Sequence, residues 1–449
     1  MCWFQIGSAK RILARLFKRS LPYSTLSCLS AADRRTKAQP FSRPKGVTEF
    51  LASSRFWFFF RHKKERRNKE NLTYLFLCNA FIFVMLLYTF PVSAQWLPTT
   101  LLSSPALSES DSNKLSLNAD VTGFFKNNEY FSPVASGQTL PGVSSTLALG
   151  YQVADRFKVE LGAYAVKYSG RNPLENLQVF ARLQYAITPN FNMILGNLYG
   201  GANHRLIEPL YQWERQFTAN PENGLQFVLH TDRWFADMWV DWQRFIQRGD
   251  SFPEVLTFGT SVTAQLTEAG SRFSLSVPLQ LLIHHQGGQI DTSDDPMIVL
   301  GNLATGICSR LNIGNGFVKS VGLDMYVTGY WDRYRDELLR PYDKGWGIYP
   351  VFHIDASPIK FMAGYWHADK FYAFEGEPLF GSFDPYSPQQ RLPTRNLLTC
   401  KFAFEKALFK GISVGAQVET YSDLDRGETD YSFGVQLRFN NPFMLKQFK

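Results

Sequence analysis

Two arginines and two glutamates crowd one glycine-led segment, Gly200-Gly201-Ala202-Asn203-His204-Arg205-Leu206-Ile207-Glu208-Pro209-Leu210-Tyr211-Gln212-Trp213-Glu214-Arg215. Arg205, Glu208, Glu214 and Arg215 are the groups of this chain best arranged to act on a charged or polar solute. Fixed charges decide which ion passes wherever a passage is narrow. The glycine pair gives the backbone freedom to turn inward. The competing reading is an ordinary outward-facing surface loop, and the residues alone do not choose between the two.

A second set of charges sits at alternate positions of apolar segments: Lys158, Glu160, Arg182, Asp237, Asp241, Asp324, Lys401 and Arg438. If each segment is a strand, these side chains share a face with glutamines and tyrosines. They then line a watery interior, where cross-strand pairing such as Glu160 with Arg182 accounts for many of them. Histidines offer less. His284 and His285 lie near Asp291, Asp294 and Asp295, but neighbours on a strand point to opposite faces, which is poor ligand geometry. His367 opens the longest interstrand segment, which also carries Glu375, Glu377 and Asp384. Acidic outer loops of this kind suit divalent ions that bridge lipopolysaccharide. His230 and His353 fall on strands with no Ser or Asn partner marked by spacing, and Gly-x-Ser-x-Gly is absent from 95–449. The expectation is no catalytic residue, no metal site, no cofactor and no enzyme. Cys308 and Cys400 are the two cysteines beyond the prefix, and Cys400 keeps the apolar register of Leu398 and Phe402.

The elements that must position these groups are sixteen short segments that alternate apolar and polar residues. They are expected at 115–125, 144–153, 156–168, 177–187, 190–199, 224–231, 233–245, 255–267, 271–284, 297–311, 317–330, 345–354, 358–367, 395–405, 411–421 and 431–439. Leu177-Gln178-Val179-Phe180-Ala181-Arg182-Leu183-Gln184 shows the rule: Leu183 faces grease and Gln184 faces water. Links after even-numbered segments are tight, such as Thr188-Pro189. Links after odd-numbered ones are long, such as 126–143, 200–223 and 368–394. An antiparallel barrel with water inside and lipid outside needs this double alternation, and its edges must close, because lipid offers no partner to an open one. No helix of twelve or more residues is expected in 115–439.

Net charge is +8, but residues 1–94 hold 17 Lys and Arg against 4 Asp and Glu. That leaves 30 and 35 for 95–449, a net of about −5, which removes the nucleic-acid reading that a basic chain invites. Basic Arg61–Lys69, apolar Leu72–Phe90 and Val92-Ser93-Ala94 follow the order of a secretory signal, with cleavage expected after Ala94. The expected domains are a prefix to 94, a periplasmic leader over 95–114, a barrel over 115–439 and a tail over 440–449.

Residues 115–439 resemble the Gram-negative outer-membrane porin class. The resemblance is carried by the strand pattern and by Tyr431-Ser432-Phe433-Gly434-Val435-Gln436-Leu437-Arg438-Phe439, similar to the C-terminal signal of such barrels, here followed by ten further residues. It implies an all-β transmembrane antiparallel barrel in the bacterial outer membrane. It also implies contact with outer-membrane lipid, lipopolysaccharide and the barrel-assembly machinery, with a homo-oligomer left open. In the porins it resembles, the third outer loop narrows the channel, which would make 200–223 the constriction. The expected function is passive diffusion of small hydrophilic solutes. The alternatives are a substrate-specific uptake barrel, using aromatics such as Trp213, Trp239 and Trp366, and an outer-membrane lipase or protease.

Overall fold

Strands form where β-branched and aromatic residues alternate with polar ones. A computed structural model describes residues 99–448, save 104, 173, 220 and 315. The expected signal segment and its cleavage site lie outside the described residues. The strands are β1 (Lys114–Glu129), β2 (Thr139–Val153), β3 (Phe157–Tyr168), β4 (Asn176–Thr188), β5 (Phe191–Asn197) and β6 (Asn223–His230). There follow β7 (Trp234–Arg244), β8 (Val255–Gln265), β9 (Phe273–Gln286), β10 (Ile298–Asn312), β11 (Ser320–Asp332), β12 (Lys344–Ala356) and β13 (Ile359–Asp369). A small hairpin of β14 (Phe383–Asp384) and β15 (Ser387–Arg391) interrupts the series before β16 (Thr394–Phe409), β17 (Ile412–Asp423) and β18 (Glu428–Gln447).

Sixteen of these strands close a barrel in which each pairs with its sequence neighbour and β1 pairs with β18. All ladders are antiparallel, as turn-linked neighbours require. The expected register holds on every strand that carries a candidate lumen residue. Leu161, Leu177 and Val179 point outward and are 60%, 66% and 74% exposed, while Glu160, Phe180 and Gln184 point inward and are buried. An exposed apolar wall on a closed sheet is what lipid selects. No described helix is long and apolar enough to cross a membrane. The one α-helix described, α1 (Arg215–Thr218), is a single turn.

Two boundaries differ from expectation. Residues 440–447 are no tail: they continue β18 and pair with Lys114–Asp120. The leader is no free periplasmic segment either. Thr99, Thr100, Leu102 and Ser103 bind lumen-facing Glu405 and Arg438. The reason is local: guanidinium Arg438, buried on β18, needs acceptors beyond Asp120, and the backbone carbonyls of Thr100 and Leu102 supply them at 2.9 and 3.1 Å.

The apolar core sits inside the barrel. Leu206, Ile207, Leu210, Trp239, Tyr326, Trp366, Phe371, Leu379, Phe380 and Tyr421 form one buried cluster that spans from β5 to β17. More than half of it comes from barrel strands. Most of the rest comes from two segments between strands, 198–222 and 370–393, which both fold into the lumen.

Candidate functional site

Segment 198–222 turns inward at Gly201, whose φ of 63° lies in the left-handed region that glycine accepts at little cost. It then crosses the lumen. The backbone N–H of Ile207 donates to Gln280 of β9, and the Arg205 carbonyl accepts from the same amide. Glu208 reaches the far wall, where it pairs with Lys401 of β16 and accepts from Tyr421 of β17. Arg205 lies with its guanidinium 3.7 Å from the Phe235 ring centroid. Glu214 pairs with Lys126 of β1 at 3.4 Å, and Arg215 with Glu375 at 3.3 Å. The four sequence candidates are thus inside the barrel, spread across it, and each is engaged.

Segment 370–393, read from sequence as the longest outer loop, is also inside. Glu375 and Glu377 are buried rather than solvated, which corrects that reading. Backbone bonds stitch the two segments together, Gln212 N–H to Glu375 carbonyl at 2.7 Å and Glu377 N–H to Glu208 carbonyl at 3.1 Å. The apolar run Phe371, Tyr372, Phe374, Leu379, Phe380 and Phe383 is the signal that was there to be read. So many aromatics in one loop need a core to enter.

Lumen wall residues behave as cross-strand pairs and clamps. Lys158 and Arg182 both meet Glu160, at 3.0 and 3.4 Å. Arg438 meets Asp120, and Asp241 accepts from the Asn223 N–H. Asp324 lies 3.5 Å from His353 and accepts from the Tyr326 hydroxyl. Asp237 holds His204, which no sequence argument singled out. His204 is fully buried, stacked at 3.5 Å on Trp239, with one ring nitrogen 2.8 Å from Asp237 and the other 2.5 Å from Glu222. Burial alone would lower its pKa, yet Glu222 and Asp237 raise it to about 10. With both nitrogens committed to carboxylates, His204 clamps segment 198–222 to β7.

Among the described residues the lumen keeps a cavity of about 500 Å³ against β1 to β4, lined by Leu101–Ser103, Glu160, Arg182 and Tyr199. The cysteines are free, Cys308 buried beside the Tyr326 hydroxyl. Among the described residues no group of His, Cys, Asp and Glu is arranged to hold a metal ion.

The outer wall carries one connected polar group of a different kind. On β13, Tyr365 and His367 face outward. His367 Nδ1 lies 2.8 Å from Asn396 Oδ1 on β16, Tyr365 donates to the same oxygen at 2.8 Å, and Asn396 Nδ2 donates to Asp425 at 2.8 Å. Trp346 of β12 packs edge-on to the imidazole at 5.5 Å. His367 lies two residues from the outer end of β13.

Comparison with known proteins separates fold from activity. A model of the lipid A 3'-O-deacylase-type family matches residues 107–448, the whole barrel. The chain belongs to that family. No curated protein matches it in sequence. Solved structures that resemble this family member include OprD of Pseudomonas aeruginosa, at 7% identity over 79% of this chain and 98% of that one, TM-score 0.44. The anion-selective porin from Comamonas acidovorans follows at 8% identity, over 73% and 100%, TM-score 0.42. A loop-deletion mutant of OmpT from Vibrio cholerae shows 11% identity over 73% and 99%, TM-score 0.42. The family match overturns the expectation that the chain is not an enzyme: the whole barrel matches a family named for an enzyme.

Proposed function

We propose that this outer-membrane barrel is an ester hydrolase that removes an acyl chain from lipid A or a closely similar glycolipid. The observation that carries the reading is membership of the lipid A 3'-O-deacylase-type family along the full barrel. Two features support it. A passive channel needs a continuous watery path, and here two interstrand segments and a buried aromatic cluster occupy the lumen. An enzyme that cuts a membrane lipid needs its reacting groups where lipid can reach, and a polar group with an imidazole faces outward at the rim. The reaction is hydrolysis. Water adds to the acyl carbonyl, the ester C–O bond breaks, and a fatty acid and a sugar hydroxyl leave.

The test is to produce the protein in the outer membrane of a host and weigh extracted lipid A by mass spectrometry. A species lighter by one acyl chain is expected, with the corresponding free fatty acid. Unchanged lipid A, together with stepwise conductance of the purified protein in planar bilayers, would overturn the reading in favour of a channel. The cavity of about 500 Å³ favours that second reading only if both inward segments swing out.

A further inference from the structure

Of the histidines inside the barrel, His204 has both nitrogens spent, His284 lies buried under the ring of Phe374 at 3.6 Å, and His353 is buried 3.5 Å from Asp324. None of the three faces an ester that stays in the membrane. His367 differs in three respects. It faces outward and is half-buried, so part of the side chain is open on the lipid side of the wall. Its Nδ1 is 2.8 Å from the Asn396 amide oxygen. That oxygen can only accept, so the proton sits on Nδ1 and the Nε2 lone pair is left bare. Among the described residues no hydrogen bond engages that Nε2. The orienting amide is itself fixed, since its Nδ2 donates to Asp425 at 2.8 Å. A base held by an orienter, and the orienter by a carboxylate, is how hydrolytic sites keep an imidazole in one tautomer.

Depth points the same way. Trp331, Trp346, Tyr365 and Tyr431 are all exposed on the outer wall close to the outer ends of their strands. Exposed Trp and Tyr on a barrel mark the plane where acyl chains give way to head groups. The ester carbonyls of an outer-leaflet lipid lie in that plane, and His367 is in it too.

The geometry points to His367 as the catalytic base for the hydrolysis proposed above, on which this inference rests, with Asn396 and Asp425 as positioning residues. The substrate is an outer-leaflet glycolipid that presents its acyl ester sideways from the bilayer. Nε2 takes a proton from a water as the water oxygen bonds to the acyl carbon. The imidazolium then returns that proton to the sugar oxygen as the ester bond breaks, so no other reactant is consumed. The Tyr365 hydroxyl donates to the same amide oxygen at 2.8 Å, which further fixes the Asn396 side chain.

The probe is purified lipid A in mixed micelles with the full chain, read as fatty acid released by mass spectrometry. His367→Gln keeps size and polarity, and kcat should fall about a hundredfold or more with KM little changed, the scale of general-base loss. Asn396→Leu should lower kcat less and displace the acid limb of the pH–rate profile, which a purely structural change would leave in place. His285→Ala alters another outward histidine, at the outer end of β9, and should leave the rate unchanged. An active wild type with undiminished His367→Gln overturns this site and leaves the hydrolase reading standing. An inactive wild type overturns both. Folding of each variant is checked by its heat-dependent gel mobility, and a misfolded His367→Gln is replaced by His367→Asn under the same criteria.

Discussion

The inside and the outer rim of this barrel use the same residue types to opposite ends. Inside, charged groups are tied to one another across the lumen: His204 sits between two carboxylates, and Lys401 meets Glu208, Glu419 and the Tyr421 hydroxyl. At the rim, His367 has one nitrogen held and the other bare. A polar group whose every bond is used fixes structure, whereas one with a single free valence can react. The buried population is the larger by far, and it is what holds segments 198–222 and 370–393 in place. Candidate residues are therefore better judged by what they have left over than by how much charge they gather.

The lumen side of the comparison breaks most sharply at Lys401. Lys401→Met leaves Glu208 and Glu419 buried with only Lys126 nearby, and stranding buried carboxylates costs roughly 3–5 kcal/mol. Heat-modified gel mobility in detergent should show a markedly lower transition temperature. Adding Glu208→Gln should recover part of it by removing the stranded charge. A Lys401→Met barrel as stable as the wild type would show that the ion pairs do not hold the inward segments.

The outer wall breaks next. Leu161 is 60% exposed toward lipid, so Leu161→Arg should cost roughly 2–4 kcal/mol near the bilayer midplane and reduce the folded fraction on urea titration in vesicles. Gln184, expected from sequence to face water, is no harmless place for the matching lumen charge. Gln184 is 1% exposed and is bonded to Asn192 at 3.0 Å and Tyr199 at 3.1 Å. Gln178→Arg is the better control, since Gln178 faces the lumen only half-buried and its side-chain hydrogen bond among the described residues goes to Asn176. Equal damage from Leu161→Arg and Gln178→Arg would mean that the two faces are not lipid and water.

The barrel itself was legible because its rule is local. Period-two alternation sorts each strand's faces, and the alternation of tight and long links orders the strands, so sixteen segments and their register follow from neighbours in sequence. The entry of 198–222 was half legible, through Gly200-Gly201 and the crowd of charges. The entry of 370–393 was not, because its charges Glu375 and Glu377 read as solvated while their partners, Thr257, Gln243 and Gln212, come from distant elements. The rim group was illegible for the same reason. His367, Asn396 and Asp425 are brought together only by the pairing of β13 with β16 and the turn after β17. Spacing along one chain carries no trace of it.

The finest test of the lumen concerns a proton. Four carboxylates, Glu208, Glu214, Glu377 and Glu419, meet there around two ammonium groups, Lys126 and Lys401. Three of the four touch a lysine. Glu377 touches none: its carboxyl is held by the Gln212 amide at 3.1 Å. Burial, and then the charge of Glu214, raise its pKa from 4.5 to about 8, with Lys126 opposing. The folded protein therefore holds a proton that the unfolded chain releases near 4.5. Folding is favoured by that proton below about 4.5, and the advantage is lost as pH rises toward about 8, above which the charged carboxylate is buried at full cost. Glu377→Gln keeps the amide contact and cannot ionise. It should remove this part of the pH dependence and leave the variant more stable than the wild type above pH 8, by on the order of a few kcal/mol. Protease cutting within 370–393, followed from pH 5 to pH 9, reads the effect directly: cutting should rise with pH in the wild type and stay flat in Glu377→Gln. A flat wild-type profile would mean that the proton on Glu377 does not help to hold the segment in the lumen.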